Sequence, residues 1–289
     1  MKRGIFYWLS ITALLIATCA VARAQAPPAM PAPAPSAAPM PPQPAPKPGL
    51  MGQSQPGEIA PTPAPAPAPV DPATALARDQ KILSDWANLS RYRDANAQLA
   101  PAAPGETRVV FMGDSITDFW AKSPQTFFPG KPYIDRGISG QTTPQMLVRF
   151  RADVIALHPK VVVILAGTND ISSNTGPETL EEIEGYLTSM AELARVNGIR
   201  VVLASLTPVT DAIMPQTVRR PPEKIVALNV WIKSYAESHH IIYLDYYSAM
   251  LDDKQMLRQD LTRDGLHPND AGYAIMEPLA EKAIEAALR

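Results

Sequence analysis

Thiol chemistry is almost absent from this chain. Its one cysteine, Cys19, lies in an N-terminal stretch that reads as a removable leader, so the mature protein is expected to carry none. That excludes disulfides, thiolate metal sites and a cysteine nucleophile together. A thiol-free chain also suits an oxidising compartment. Charge is equally unconcentrated: 26 Lys and Arg against 28 Asp and Glu give a formal net charge of −2. No Lys/Arg cluster is dense enough for a nucleic-acid or anionic-membrane footprint, and no nucleic-acid partner is expected. The apolar run from Ile5 to Ala20 is too short, and too closely followed by polar sequence, for a membrane span. No stable membrane insertion is therefore expected after processing. No H-E-x-x-H or other metal-ligand spacing occurs, so no metal is expected, and no cofactor either.

The N-terminus has the three parts of a signal peptide over residues 1–24. Lys2 and Arg3 supply the positive start, the apolar run follows, and Ala22-Arg23-Ala24 offers a small-x-small cleavage site. The mature chain then starts near Gln25 and is exported, periplasmic or secreted. Two alternatives stay open: a retained anchor, and lipidation at Cys19, although Thr18 is bulkier than the residue usual before a lipidated cysteine. Residues 25–72 form a Pro/Ala-rich segment holding 18 of the 32 prolines. It has no apolar periodicity and cannot bury enough surface to offset ordering its backbone, so it reads as a disordered linker. At roughly 3.1 Å per residue in polyproline II it could reach on the order of 140 Å. It is either a spacer or a tolerated leader.

The folded part is expected from Ala73 to Arg289. It opens with a helical stretch from Ala73 to about Gln98, whose Ile82, Trp86, Leu89 and Tyr92 fall on one face that should pack on the main body. Strands are expected at Arg108–Met112, Tyr133–Arg136, Lys160–Ala166, Arg200–Ser205 and Ile241–Asp245. Helices are expected from Pro177 to Asn197, around Ile225 to Tyr235, and from Ala271 to Leu288 with a kink at Pro278. Strands alternating with helices argue for an α/β fold with a central parallel sheet of about five strands, covered on both faces. Ligands in such sheets bind beyond the carboxyl ends of the strands.

Four segments follow strands and should meet on that rim: Gly113-Asp114-Ser115-Ile116-Thr117, Gly137-Ile138-Ser139-Gly140-Gln141-Thr142, Gly167-Thr168-Asn169-Asp170, and Asp264-Gly265-Leu266-His267-Pro268-Asn269. Acyl transfer needs what they contain. A serine hydroxyl is a poor nucleophile until a base takes its proton. His267 can do that for Ser115, with Asp264 three residues earlier fixing the tautomer. The oxyanion of the tetrahedral intermediate needs fixed donors. The Ser115 and Gly140 backbone N–H groups and the Asn169 side-chain amide are the available set. Each segment alone could be a turn or a helix cap; all four in this order are much harder to dismiss.

Those four segments resemble the blocks of the SGNH hydrolases, also called the GDSL esterases and lipases, over roughly Val109 to Pro278. Ser115, Gly140, Asn169 and His267 match the signature residues, and Asp264 with His267 matches the Asp-x-x-His pairing. The resemblance implies a flavodoxin-like three-layer α/β/α fold, a Ser115–His267–Asp264 triad, and an oxyanion hole of Ser115, Gly140 and Asn169. The chain is most similar to the platelet-activating-factor acetylhydrolase-like and lysophospholipase-like bacterial branch. The first block reads GDSIT rather than GDSLS, a change that keeps the apolar contact. The expected substrate is a small-molecule or carbohydrate ester with a short acyl group. The rivals are a non-catalytic carbohydrate- or wall-binding module of the same fold, and a flavodoxin-like nucleotide or flavin binder, against which Asp114 would repel phosphate. Nothing in the sequence speaks to oligomeric state.

His158, His239 and His240 precede strands and are assigned to the opposite rim. Ser139 lacks a strand-to-helix elbow. Trp120, Phe127, Phe128 and Tyr133 form an aromatic cluster, read as core or as a pocket wall. Arg136 and Asp170 are expected to brace the site loops.

Overall fold

Five short strands form the sheet: β1 (Val109–Gly113), β2 (Tyr133–Gly137), β3 (Val161–Leu165), β4 (Arg200–Ala204) and β5 (Ile242–Leu244), with β1, β3 and β4 dominated by β-branched and aliphatic residues. The computed structural model describes residues 71–122 and 127–289. The expected signal peptide, and the linker up to residue 70, lie outside them. All strand pairs are parallel, in the order β2-β1-β3-β4-β5. β1 and β3 are buried at every position, which is why they read as unbroken apolar runs rather than alternating ones. The order reverses between β1 and β3, so the crevice of this sheet opens at their carboxyl ends.

The pleat sends alternate residues to opposite faces. Val110, Met112, Val162 and Ile164 join one apolar cluster, and Val109, Phe111, Val161 and Val163 the other. Helices α4 (Thr143–Asp153), α6 (Leu180–Val196) and α7 (Pro222–Ser238) cover the first face, through Phe150, Leu187 and Leu228 among others. Helices α3 (Ser115–Trp120) and α8 (Asp270–Leu288) cover the second, through Ile116, Trp120, Tyr273 and Ile284. The result is three layers, α/β/α. A four-residue helix, α5 (Thr168–Ile171), follows β3.

Helix α4 has no counterpart in the sequence reading. Its apolar stripe is interrupted by Arg149 and Asp153, both buried. The Arg149 guanidinium donates to Gln141 Oε1 (2.5 Å), Asp153 Oδ2 (3.1 Å) and the Gly113 carbonyl (3.1 Å). A buried charge satisfied on three sides occupies a core position while reading as polar. Helix α6 begins at Leu180, not Pro177. Thr179 accepts from Glu182 N–H (3.2 Å) and Glu182 accepts from Thr179 N–H (2.7 Å), a capping box that sets the start. Pro278 lies inside α8, which continues on both sides of it.

The N-terminal stretch departs most from expectation. It is two helices, α1 (Pro72–Ser84) and α2 (Arg93–Gln98), separated by turns. The Asp85 carboxylate accepts from the N–H groups of Leu89 (2.7 Å) and Ser90 (2.9 Å), and Asn88 takes φ 52°, so the helix stops there. Trp86 and Leu89 are consequently 42% and 41% exposed rather than packed. Tyr92 is buried as expected, and Ala87 is buried in place of Trp86 and Leu89. The Ile82 side chain lies outside the described ones.

One helix supplies an internal control. Phe150 is fully buried and Val148 is 53% exposed, both on α4. Phe150→Ala is expected to lower unfolding stability by about 3–5 kcal/mol, and Val148→Ala by no more than about 0.5 kcal/mol. Equal losses by urea titration would contradict the layer assignment.

Candidate active site

β1 ends in Gly113, and the chain turns at once into α3. A Cβ on Gly113 would lie 2.1 Å from Thr117 Oγ1 and 3.0 Å from the Leu165 carbonyl, so the turn admits only glycine. Asp114 caps α3, its Oδ1 accepting from Ile116 N–H (2.9 Å). Ser115 is thereby the first helical residue, just beyond the carboxyl end of β1.

The 264–267 loop brings the other two groups. Asp264 Oδ1 accepts from the N–H groups of Leu266 (3.0 Å) and His267 (2.8 Å), and Oδ2 faces His267 Nδ1 at 2.7 Å. His267 Nε2 lies 2.9 Å from Ser115 Oγ. Burial acts to raise the Asp264 carboxyl, but the hydrogen bonds from the His267 side chain and from the two N–H groups outweigh it. They hold it below the usual carboxylate range. An ionised carboxylate only accepts, so Nδ1 carries the ring proton and Nε2 is left with a lone pair toward the serine. The loop closes through Gly265 at φ +91°, where a Cβ would meet the Thr210 carbonyl at 2.2 Å.

The remaining segments sit beside this chain of contacts. Ile138 N–H donates to the Gly113 carbonyl (3.0 Å), joining the Gly140 turn to the end of β1. Gly140 has φ +82°, and its carbonyl accepts from Asn174 Nδ2 (3.0 Å). Asn169 Nδ2 donates to the Gln141 carbonyl (3.1 Å), and Asn169 Oδ1 accepts from Arg220 Nη2 (3.1 Å). A guanidinium only donates, so Arg220 fixes which end of the Asn169 amide points where. One Asn169 N–H remains for an incoming oxygen. Arg220 is itself buried and donates to Thr168 Oγ1 (3.2 Å). Sequence reading missed it, although the segment after β4 meets the same test that exposed the other four loops: it leaves the carboxyl end of a strand.

The two expected braces differ. Asp170 Oδ1 accepts from Thr143 N–H at 2.8 Å and from its hydroxyl, tying the Asn169 loop to the start of α4. Arg136 donates to Asn96 Oδ1 (2.9 and 2.7 Å) and stacks on the Tyr92 ring, so these contacts are with the N-terminal segment. The Ser139 hydroxyl donates to Asp118 rather than to a histidine. His239 stacks on Tyr235 at the end of α7. Trp120 and Phe128 are buried against Phe111, so the aromatic cluster is core and not a pocket wall. Among the described residues no group of three or more His, Cys, Asp or Glu is placed to hold a metal ion. None of their helices is long and apolar enough to cross a membrane.

Asp114 carries a second consequence. Its Oδ2 is buried with no hydrogen-bond partner among the described residues. Burial, reinforced by the charge of Asp170 and opposed by Ile116 N–H and Arg220, pushes the carboxyl up to about 7. An unfolded aspartate titrates near about 3.9, so the folded state is the tighter proton binder between these values. Stability from this group is full below about pH 4, declines as pH rises, and is gone above about pH 7. Asp114→Asn keeps an acceptor for Ile116 and is expected to flatten that decline in denaturant titrations across the window. Parallel curves for both proteins would place the titration elsewhere.

Comparison with known proteins identifies the family. Residues 111–275 match the GDSL-like Lipase/Acylhydrolase family. The crystal structure of a GDSL-like lipase from Bacteroides thetaiotaomicron is 45% identical, with a TM-score of 0.66 over 70% of this chain and 99% of that one. The acetylxylan esterase of Geobacillus stearothermophilus is 24% identical over 204 residues, 58% of this chain and 90% of the relative. The acetyl xylan esterase AlAXEase shares the fold at 23% identity, with a TM-score of 0.51 over 61% of this chain and 98% of that one. The family match spans more than half of the chain and contains Ser115, Gly140, Asn169 and His267: the chain belongs to the GDSL-like lipase/acylhydrolase family and is a carboxylic ester hydrolase.

Proposed function

We propose that the protein hydrolyses short-chain carboxylic esters, acetyl esters of a carbohydrate above all, through an acyl-enzyme on Ser115. The observation that carries this reading is the unbroken contact chain from Ser115 Oγ to His267 Nε2 (2.9 Å) and from His267 Nδ1 to Asp264 Oδ2 (2.7 Å). In the first half-reaction Ser115 Oγ bonds to the ester carbon as its proton passes to His267 Nε2. Asp264 stabilises the imidazolium. The Ser115 and Gly140 N–H groups and Asn169 Nδ2 receive the oxyanion. The tetrahedral species then collapses, the carbon–alkoxy bond breaks, and the alcohol leaves with the proton from His267. Water repeats the sequence and frees the acid. The acetylxylan esterase among the relatives supports the acetyl and carbohydrate parts. The expected leader fits an enzyme that meets such a substrate outside the cytoplasm. A pure binding module of this fold has no need of a base aligned on a serine.

Ser115→Ala is expected to lower turnover of p-nitrophenyl acetate by on the order of a million-fold with the melting temperature kept. Retention of more than a few per cent of turnover by the folded variant would remove Ser115 from the nucleophile role.

Asn169→Ala removes one donor and should cost roughly a hundred- to thousand-fold in kcat. Arg220 acts through that amide. Arg220→Ala is expected to cost on the order of a hundredfold in kcat through misplacement, with little change in KM. In an Asn169→Ala background the same change should cost almost nothing more, because its target is gone. Additive losses in the double variant would make Arg220 a general structural residue.

A further inference from the structure

The turn formed by residues 85–92 lies outside the family-matched residues, yet it borders the Gly140 loop. A cavity of about 190 Å³ separates them, walled by Trp86 and Asn88 on one side and by Ser139, Gly140 and Gln141 on the other. A larger cavity of about 460 Å³ lies among Gly198, His240 and Ala287, before β4 and β5 and so at the opposite rim from Ser115.

The Trp86 wall is pinned to the loop it faces. Gln145 Nε2 donates to the Trp86 carbonyl and Gln141 Nε2 to the Ala87 carbonyl, each at 2.7 Å. Asp85 holds the turn from within through Leu89 and Ser90. Each glutamine spends one amide N–H on these bonds. What remains toward the cavity is the Trp86 ring, the Asn88 carboxamide, which has no hydrogen-bond partner among the described residues, and the Gly140 backbone. A large aromatic left 42% exposed on a turn fixed by its own backbone is a flat apolar platform whose ordering cost is already met before anything binds.

The occupant follows from shape and charge. The cavity falls below the roughly 300–1,000 Å³ of a drug-sized pocket, room for one ring but not for a long acyl chain. Its wall is polar except for the indole, which suits a ring with one apolar face and hydroxyl edges. The hydrogen bond from Ser90 N–H, with that from Leu89, holds the Asp85 carboxyl below the usual carboxylate range, so the rim carries a negative charge that repels anionic headgroups. We infer that this cavity is the saccharide subsite of the enzyme: it seats the neutral sugar ring that carries the ester, stacked on Trp86 and hydrogen-bonded by Asn88. The inference rests on the esterase reading above, because Gly140 is the residue the cavity shares with the oxyanion site.

The test uses the full chain, with xylose tetraacetate and p-nitrophenyl acetate as substrates. Trp86→Ala should lower the ratio of kcat/KM on the sugar ester to that on the aryl ester by about tenfold or more, through KM, and Trp86→Phe should restore most of it. An unchanged ratio, or a loss confined to kcat, overturns the subsite. So does a Trp86-dependent preference for dispersed lysophospholipid over the sugar ester. Calorimetry on Ser115→Ala separates the two readings, since that variant keeps the cavity. Binding of xylose tetraacetate that disappears in Ser115→Ala/Trp86→Ala supports the subsite even if Ser115 fails as nucleophile, and absence of Trp86-dependent binding refutes it even if Ser115 stands.

Discussion

The parallel pairing of β1 with β3, Val109 opposite Val161 through Gly113 opposite Leu165, is the constraint on which the rest of the structure depends. It brings the end of one strand level with the end of the next, so the turn holding Ser115 and the turn holding Asn169 emerge side by side. β2 on the other flank is equally in register, Gly113 opposite Gly137, and delivers the Gly140 turn to the same rim. A slip of one residue would swap the two faces of β1, exchanging Phe111 and Met112 between clusters and withdrawing Gly113 from its turn.

Close-packed apolar layers alone would leave those turns free to spread. Two buried guanidiniums prevent it. Arg149 bridges the end of β1 to Gln141 and Asp153, and Arg220 bridges Thr168 and Asn169. Burying an ion costs several kcal/mol unless its partners are well placed, and here each guanidinium donates to three side-chain or backbone oxygens. Burial pulls both guanidinium pKa values down while neighbouring carboxylates oppose it.

The parts legible in the sequence were those where local pattern and global environment agree. β1 and β3 are apolar because they are buried on both faces, and α7 and α8 because one stripe meets the sheet. Ser115, Asp264 and His267 could be grouped because each follows a strand in a parallel sheet, and the structure brings their polar atoms within 2.9 Å of one another in sequence along the chain of contacts. The illegible parts are those where a polar residue does the packing. Arg149 hid α4. The Asp85 carboxylate, competing for backbone N–H groups, broke what periodicity presented as one helix and turned Trp86 outward. Arg220 sits in an Arg-Arg-Pro-Pro run whose local meaning is only the approach to α7; its function depends on contacts with residues about fifty positions away.

That run also links the two halves of the site. From the segment after β4, Thr210 N–H donates to the Gly265 carbonyl (2.9 Å) and Gln216 Nε2 to the Asp264 carbonyl (3.1 Å), so it holds the histidine loop. A few residues later Arg219 donates to Asn174 Oδ1 (3.1 Å), whose amide holds the Gly140 carbonyl, and Arg220 holds Asn169. His267 and the proposed oxyanion donors Gly140 and Asn169 are therefore tied to one stretch of backbone rather than to two independent loops. A displacement of that stretch moves the imidazole and the donors together, and their relative geometry, which governs transition-state binding, is better protected than the position of either. The same stretch carries Ile213, Met214 and Val218, all exposed, on a turn closed by Asp211 onto Gln216 and Thr217. None of these three side chains takes part in the hydrogen bonds that tie the stretch to Asp264, Asn174 and Asn169.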